Sequence, residues 1–500
     1  MINEQNIRLI FGLKLRQLRQ KQGLSPKELA DTAGISISYL NEIEKGKKYP
    51  KAEKIAQLAE VLGTEYDELV SLRLSRNLAP IAELLNSDLL GLLPLHLFGI
   101  GADDLVEIIA NAPVKVSAFI STLVGIARNY EMRVEQFYLT ALRSYQEMHD
   151  NYFEDLENIV DKFRQVNHIA DDEPVTLAWL SNHLKEKYAY IIDESLIVKY
   201  PDLRSVRSIF SFRKNRNRLL LNSNLNESQK IFQLAKEVGY QFMDLKERNT
   251  APSWVKAESF EQVLNNFKAS YFAGALLIPR KQLADDLANF FTTPLWDGNA
   301  FLDMMNRYRV SPETFLHRLT SIVPRFFNIN QLFFLRFSTS SKDPNSYDIT
   351  KELHLSNPHN PHANALNEHY CRRWVSINLC KEFEKLLLDD KDAQPIVQAQ
   401  RSHYISSDNE YFCISVARSM NPTPDTVSSV AIGFSMNADF KSKVAFWHDP
   451  QVSVRLVNET CERCALTDCK ERVAPAHVLK QQTATQKIEK TVEDLVKGLN

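Results

Sequence analysis

A helix-rich α+β chain of several domains is predicted by three observations. The chain has 500 residues, more than one hydrophobic core organises. Glycine is sparse, 14 residues, while apolar residues reach 44%, the composition of a folded, helix-forming sequence. The pattern also changes along the chain. Apolar residues recur at helical spacing up to about residue 166, and short β-like runs alternate with helices beyond about 175. The expected layout is an N-terminal helical bundle, a helical middle, a smaller α+β domain and a C-terminal antiparallel sheet flanked by helices.

Residues 24–46 (LSPKELADTAGISISYLNEIEKG) are the most sharply specified stretch. Ser25, Pro26 and Glu28 form a capping box with proline at the first helical position, so a helix starts there. Gly34 stops it. Gly34, Ile35 and Ser36 turn the chain into a second helix, from about 37 to 44, in which Leu40 and Ile43 lie one turn apart and face inward. Its outer face is polar: Ser38, Asn41, Glu42 and Lys45, with Ser36 at the entry. Such side chains read base edges in a major groove. Residues 1–54 hold eleven Lys plus Arg against six Asp plus Glu, in a chain of formal net charge −2, so phosphates would be drawn to this end. A helical bundle that binds protein is the alternative.

These residues resemble the lambda-repressor-like helix-turn-helix, or XRE, family. The likeness covers about residues 7–70, including FGLKLRQLRQKQGL before the motif and KAEKIAQLAEVLG after it. It implies a five-helix bundle over 1–72 that binds double-stranded operator DNA, with Arg19 and Glu44 paired internally. Arg16, Ser36, Ser38, Tyr39, Asn41, Glu42, Lys45 and Lys47 are the candidate DNA contacts.

The longest uncharged apolar runs, within residues 89–102 and 116–127, are shorter than the eighteen or so residues of a membrane span. No apolar signal core opens the sequence, so a cytoplasmic protein is expected. In that compartment six cysteines suggest thiols or metal ligands rather than disulfides.

The helical middle runs from about 80 to 166, cut by Pro94 and Pro113, with Asp103 and Asp104 opening a new helix. Its apolar faces either mate with a second copy, giving a homodimer or higher oligomer whose paired heads read half-sites roughly 34 Å apart, or pack within one chain. Residues 168–174 form a linker. Beyond them LIVKY, SIFSF and RLLLN read as strands, and NESQKIFQLAKEVGYQFM as a helix.

This order is similar to the zinc peptidase-like domain of the ImmA/IrrE family, whose helix carries H-E-x-x-H because two imidazoles one turn apart hold zinc beside a glutamate base. Here Lys236 and Tyr240 stand at the histidine positions and only Glu237 is kept. Asn266 and Lys268 lie in FKASYFAGALLIP and its lead-in, where the family has acids. Residues 175–295 are therefore expected to be a degenerate zincin-like fold kept for its pocket, with no catalytic residues. Six basic residues between 204 and 218, including Arg213 and Arg216, make either a solvated edge or a site for a phosphate-rich ligand. Arg213, Arg216, Lys236 and Tyr240 are the candidate ligand contacts.

The C-terminal part, 300–477, opens with SPETFLHRLTSIVPRF and LFFLRF, a helix and a strand. YFCISVARS, SVAIGFSM and VSVRLV follow as further strands. Just past the last, Cys461, Cys464 and Cys469 are spaced C-x2-C-x4-C. Three thiols so close, directly after a strand, suit one metal centre better than packing. Cys371, Cys380, Cys413 and the loop histidines His354, His359, His362 and His369 are candidates for a fourth ligand. Cys413 in its strand reads as a core residue. On a continuous helix Cys371 and Cys380 would point to opposite sides, so only one reaches the site. Lys470 and Arg472 would offset thiolate charge. Residues 478–500 form an amphipathic helix whose stripe, Ile488, Val492, Leu495 and Leu499, would dock on the body or on a twin subunit.

The whole arrangement resembles the short-chain fatty acyl-CoA-responsive transcriptional regulators. Their C-x2-C-x4-C-x2-R-x2-P signature is matched by Cys461, Cys464, Cys469, Arg472 and Pro475, their C-x-x-W by Cys371 and Trp374, and a further phrase by VSPETFLHRLT. The resemblance implies a regulator that senses a short-chain acyl-CoA and carries a [4Fe-4S] cluster on Cys371, Cys461, Cys464 and Cys469. Zn2+ is the alternative, since tetrahedral zinc accepts the same thiolates. A metallopeptidase-type derepressor that cleaves a repressor protein is the alternative function, and a helix-turn-helix interaction or toxin-antitoxin module a third.

Overall fold

The structure is a computed structural model that describes residues 4–71, 134–170, 172–213, 216–250, 257–339, 347–355, 368–407, 409–420, 422–423 and 426–498. Most of the helical middle, His359, His362 and Leu499 lie outside the described residues. The chain forms two compact units, Met1–Ala141 and Leu142–Asn500, so the second begins inside the 80–166 zone. Among the described residues no helix is long and apolar enough to cross a membrane.

In the first unit five helices pack as expected: α1 (Glu4–Lys21), α2 (Pro26–Thr32), α3 (Ile37–Glu44), α4 (Ala52–Val61) and α5 (Tyr66–Val70). Phe11, Leu15, Leu29, Leu40, Ile43, Ile55, Leu58 and Leu69 form their common core. α1 crosses α3 closely at Gly12, where a Cβ would come within 2.3 Å of the Ile43 carbonyl oxygen. A further helix, α6 (Val134–Met148), spans the division between the units.

The second unit begins with α7 (Glu154–Val166) and α8 (Leu177–Tyr188). A three-stranded sheet of order β1-β3-β2 follows, built from β1 (Tyr190–Asp193), β2 (Ser208–Arg213) and β3 (Arg216–Leu221). LIVKY is not a strand: it enters two short 3-10 turns, Ile197–Lys199 and Pro201–Leu203, because Pro201 cannot donate to a ladder. The expected helix is α9 (Glu227–Phe242), capped by Asn226 in a capping box with Gln229. Then come α10 (Phe260–Leu277), α11 (Arg280–Phe291), α12 (Gly298–Arg307) and α13 (Pro312–Phe327). α7 is held to α13 by a buried pair, Arg318 Nη1 and Nη2 donating to Glu157 at 2.5 and 2.9 Å, with Tyr271 Oη on the same carboxylate at 2.7 Å.

A six-stranded sheet of order β5-β4-β8-β7-β6-β9 completes the unit. Its strands are β4 (Leu332–Thr339), β5 (Tyr347–His354), β6 (Ile396–Tyr404), β7 (Glu410–Ser419), β8 (Val427–Ser435) and β9 (Ser453–Val457). The expectation of an antiparallel sheet fails at one edge, where β9 pairs parallel to β6, as it can because a crossover rather than a hairpin joins them. α14 (Val375–Asp389) packs against one face, its Ile377 and Phe383 sharing a core with Phe333, Leu335 and Phe337 of β4. α13 packs against the other. Gly433 admits the Phe333 ring, which a Cβ would meet at 2.2 Å. α15 (Ala438–Lys443) and α16 (His477–Gly498) close the chain.

Candidate functional site

The reading helix α3 is set by the caps its sequence announces. Ser25 Oγ accepts from Glu28 N at 3.2 Å and Glu28 Oε2 from Ser25 N at 2.7 Å. Gly34 takes φ +61, the left-handed conformation that glycine tolerates at a helix end. Ser36 Oγ accepts from Tyr39 N at 3.1 Å. Leu40 and Ile43 are fully buried, which turns Ser36, Ser38 and Asn41 outward, fully exposed. Tyr39, Glu42 and Lys45 are half-buried beside them, as is Arg16 on α1, and Lys47 is exposed. Glu42 is engaged by Lys48 at 2.8 Å.

Behind this face Arg19 Nε and Nη2 donate to Glu44 at 2.6 and 2.9 Å, and Arg19 Nη1 to the Leu24 carbonyl at 2.9 Å. Both partners are buried. Lys14 also belongs to the interior, its Nζ donating to the carbonyls of Glu68 and Ser71 at 2.8 and 2.5 Å. Two of the cations behind the local charge excess therefore serve the fold rather than a ligand.

The thiol site sits at the sheet edge next to β9. Cys371, Cys461, Cys464 and Cys469 line a single cavity with Leu456, Val457 and Leu466. Two backbone strands bring the distant cysteine to the cluster: Cys371 N donates to the Glu459 carbonyl at 3.0 Å and Cys461 N to the His369 carbonyl at 2.9 Å. Burial, and secondarily the nearby Cys461 and Cys464 thiols, push the Cys371 thiol up to about 11. Among the described residues no three His, Cys, Asp or Glu side chains form a group that could hold a metal ion, while the four cysteines line one cavity.

The other cysteines, and His354 and His369 of the candidate histidines, lie among the described residues. Cys371 lies before α14, which starts at Val375, so it never shares a helix with Cys380. Cys380, buried on α14, does not line the thiol cavity, whereas Cys371 does. Cys413 is a core residue as expected. His354 ends β5 and is not in a loop, and the His369 ring meets Glu462 Oε1 at 2.7 Å. Arg472 lines the same cavity as the four thiols. Its guanidinium donates to four carbonyls of the cysteine loop, Cys461 at 2.7 Å, Ala474 at 3.3 Å, Cys464 at 3.1 Å and Leu466 at 2.6 Å. Lys470 points to solvent.

On the peptidase-like helix α9 Glu237 is buried. That carboxylate accepts from Tyr190 Oη at 2.9 Å and from Arg248 Nη2 at 2.7 and 2.9 Å. The Arg248 guanidinium is stacked between the Phe210 and Tyr240 rings, 3.4 and 4.0 Å from their centroids. Lys236 Nζ donates to Asn266 Oδ1 at 2.5 Å, and burial pulls it down to about 8, which leaves it mostly protonated at neutral pH. An ammonium and a phenol provide no imidazole lone pair for zinc, and Arg248 takes the carboxylate that would serve as base. Of the four candidate ligand contacts, Lys236 and Tyr240 are neighbours, with Lys236 Nζ 5.9 Å from the Tyr240 ring centroid. Arg216 is exposed on β3, Lys236 and Tyr240 lie on α9, and the Arg213 side chain is outside the described residues.

Comparison with known proteins agrees with this geometry. A helix-turn-helix family model matches residues 15–69. The Bacillus subtilis HTH-type transcriptional regulator YazB is 40% identical over 60 residues, 12% of this chain and 87% of that protein. The chain belongs to the helix-turn-helix transcriptional regulators. An IrrE N-terminal-like domain matches residues 198–320. The Mycobacterium tuberculosis HTH-type transcriptional regulator RamB is 24% identical over 332 residues, 62% of this chain and 65% of that protein. The propionyl-CoA carboxylase regulator of Cereibacter sphaeroides is 25% identical over 287 residues, 54% of this chain and 58% of that protein.

In this helix-turn-helix chain the residues that sequence reasoning missed are the supporting ones. Arg248 carries no motif that marks it as the partner of Glu237. Glu462, inside the C-x2-C step, holds the His369 backbone and ring at 3.0 and 2.7 Å. Glu368 clamps Arg463 at 2.7 and 2.8 Å. Only their place beside predicted ligands could have pointed to these acids.

Proposed function

We propose that the protein is a sequence-specific DNA-binding regulator of transcription, in which Ser36, Ser38 and Asn41 of α3 read base edges while Arg16, Lys45 and Lys47 meet phosphates. The observation that carries this is the exposed polar face of α3, held rigid by the Arg19–Glu44 pair behind it. Heads acting as a homodimer would read two half-sites. The test is selection of bound sequences from a random DNA pool, followed by anisotropy with the selected duplex. Asn41→Ala should cost about 1–3 kcal/mol and relax preference at one base pair, while Lys47→Ala should weaken all sequences alike and reduce the salt slope. A protein that selects no sequence would defeat the reading.

The body is the sensing half in this reading, with a short-chain acyl-CoA as effector, and it is not an enzyme. Support comes from the likeness to the propionyl-CoA carboxylase regulator and from Arg248, which occupies the place of catalytic chemistry. Cys371, Cys461, Cys464 and Cys469 would hold a [4Fe-4S] cluster. Four thiols around one cavity match the four-thiolate set of such a cluster, and tetrahedral zinc is the alternative occupant of the same set. Such a cluster supplies a structural link or a one-electron redox input. Anaerobic purification with iron and sulfide analysis tests it, and Cys371→Ser should lose both.

A further inference from the structure

The face of the six-stranded sheet turned toward α13 carries a group of cations beside the Phe334 ring. Arg336 of β4 stands in register with Lys351 of β5 on one side and Val430 of β8 on the other. Arg418 of β7 stands in register with Ser428 of β8. Residues in register, and residues two apart, share a face, so strand alternation alone brings the three cations to one side. Arg207 reaches them from the segment before β2, and Glu313 from the first turn of α13. Arg207, Arg336, Arg418, Ser428 and Glu313 line one cavity.

The charges in it do not balance. Glu313 accepts from Arg336 Nη1 at 2.9 Å, Arg207 Nη2 at 3.3 Å and Lys351 Nζ at 3.5 Å. One carboxylate thus faces three cations, and Arg418 is a fourth. The Arg418 guanidinium makes no hydrogen bond or ion pair among the described residues; burial, with Arg207 and Arg336 nearby and Glu313 opposing, brings it down to about 10. Lys351 is also pulled below its ordinary value, by burial first. Like charges directly across strands are destabilising, and an unpaired charge inside protein costs several kcal/mol. Lys351 and Arg207 keep 40% and 32% of their side-chain exposure.

We propose that this cavity is a phosphate-binding site, in which Arg207, Arg336 and Arg418 face the oxygens of a phosphate group, with Lys351 beside them on Glu313. Guanidinium forks match phosphate oxygens two at a time, and a doubly charged anion offsets most of the local excess. The phosphate is either free in solution or part of a larger ligand. The second case rests on the acyl-CoA reading above, since coenzyme A carries phosphates at both ends of its ribose. The site joins the β2 segment, α13 and the sheet, so its occupant would favour one arrangement of these layers, as a sensing body requires.

The test is isothermal titration calorimetry on the full chain at constant ionic strength in chloride, with inorganic phosphate, diphosphate and coenzyme A as probes. Arg418→Gln removes a side chain without an internal partner, so its thermal midpoint without phosphate should stay level or rise. Its affinity for phosphate-bearing probes should fall about tenfold to hundredfold, the worth of a charge-assisted hydrogen bond. Arg418→Lys keeps the charge, loses the fork and should fall between the two, which covers the case that Arg418→Gln does not fold. Coenzyme A and diphosphate competing for one Arg418-dependent site would assign a ligand-borne phosphate. Inorganic phosphate binding there while coenzyme A does not would keep the site and remove the acyl-CoA reading. Coenzyme A binding equally well to wild type and Arg418→Gln would keep that reading and overturn this site. No binding by any phosphate probe would overturn it as well.

Discussion

Two arginines show how differently the same side chain is used here. Arg19 neutralises Glu44 in the interior of the head, where breaking one partner leaves an uncompensated buried charge. Arg19→Met should therefore lower the stability of the head by roughly 3–5 kcal/mol, and the double change with Glu44→Leu should recover most of it; urea unfolding followed by circular dichroism checks both. Among the described residues Arg472 donates to carbonyls of the cysteine loop and to no acid. Arg472→Gln should speed the reaction of Cys464 and Cys469 with a thiol reagent in the metal-free protein by about tenfold or more, because even one charge-assisted bond is worth ~1.5 kcal/mol.

At the scale of elements, α13 is where the layers of the body meet. Its N-terminal turn presents Glu313 to the cationic sheet face, and Arg318 holds α7 from its buried side. Between them His317 lies 5.4 Å from the Phe334 ring, and burial first, then the Lys351 charge, lowers it to about 3. The folded form thus keeps His317 neutral, whereas the unfolded chain takes up a proton below about 6.5. Its contribution is complete above pH 6.5 and is lost as the pH falls from there toward 3. His317→Leu should flatten that part of the stability profile, measured as urea midpoints at pH 7.5 and 5.5.

On the scale of the whole molecule, the terminal helix α16 is attached only at its root. Leu479 N donates to the Glu462 carbonyl at 3.1 Å, and Val478 and Leu479 are half-buried, but every described position beyond them is exposed. The apolar stripe does not dock on the body: Ile488 and Leu495 are each 65% exposed. Deleting residues 482–500 should leave the thermal midpoint of the monomeric body unchanged within about 1 °C, since no core area is lost. Differential scanning calorimetry at low protein concentration checks this, and a lower midpoint would place the stripe against the body after all.

How much of this was readable beforehand depended on the range of the interaction. The head was legible almost residue by residue, because capping boxes, a left-handed glycine and one-turn apolar spacing act within four residues along the chain. The C-x2-C-x4-C run was legible for the same reason. Strands β5 and β6, the parallel β9 edge, the place of Cys371 before α14 rather than on it, and the Arg248 plug at Glu237 were not. Each depends on partners brought from elsewhere by packing, and side-chain pattern carries no record of them. The sequence by itself determined the reading head and the local thiol spacing. Only the tertiary structure decided which distant cysteine joins that cavity, which arginine closes the peptidase-like helix, and that four cations from separate segments surround a single carboxylate, because burial and charge balance are properties of neighbours in space.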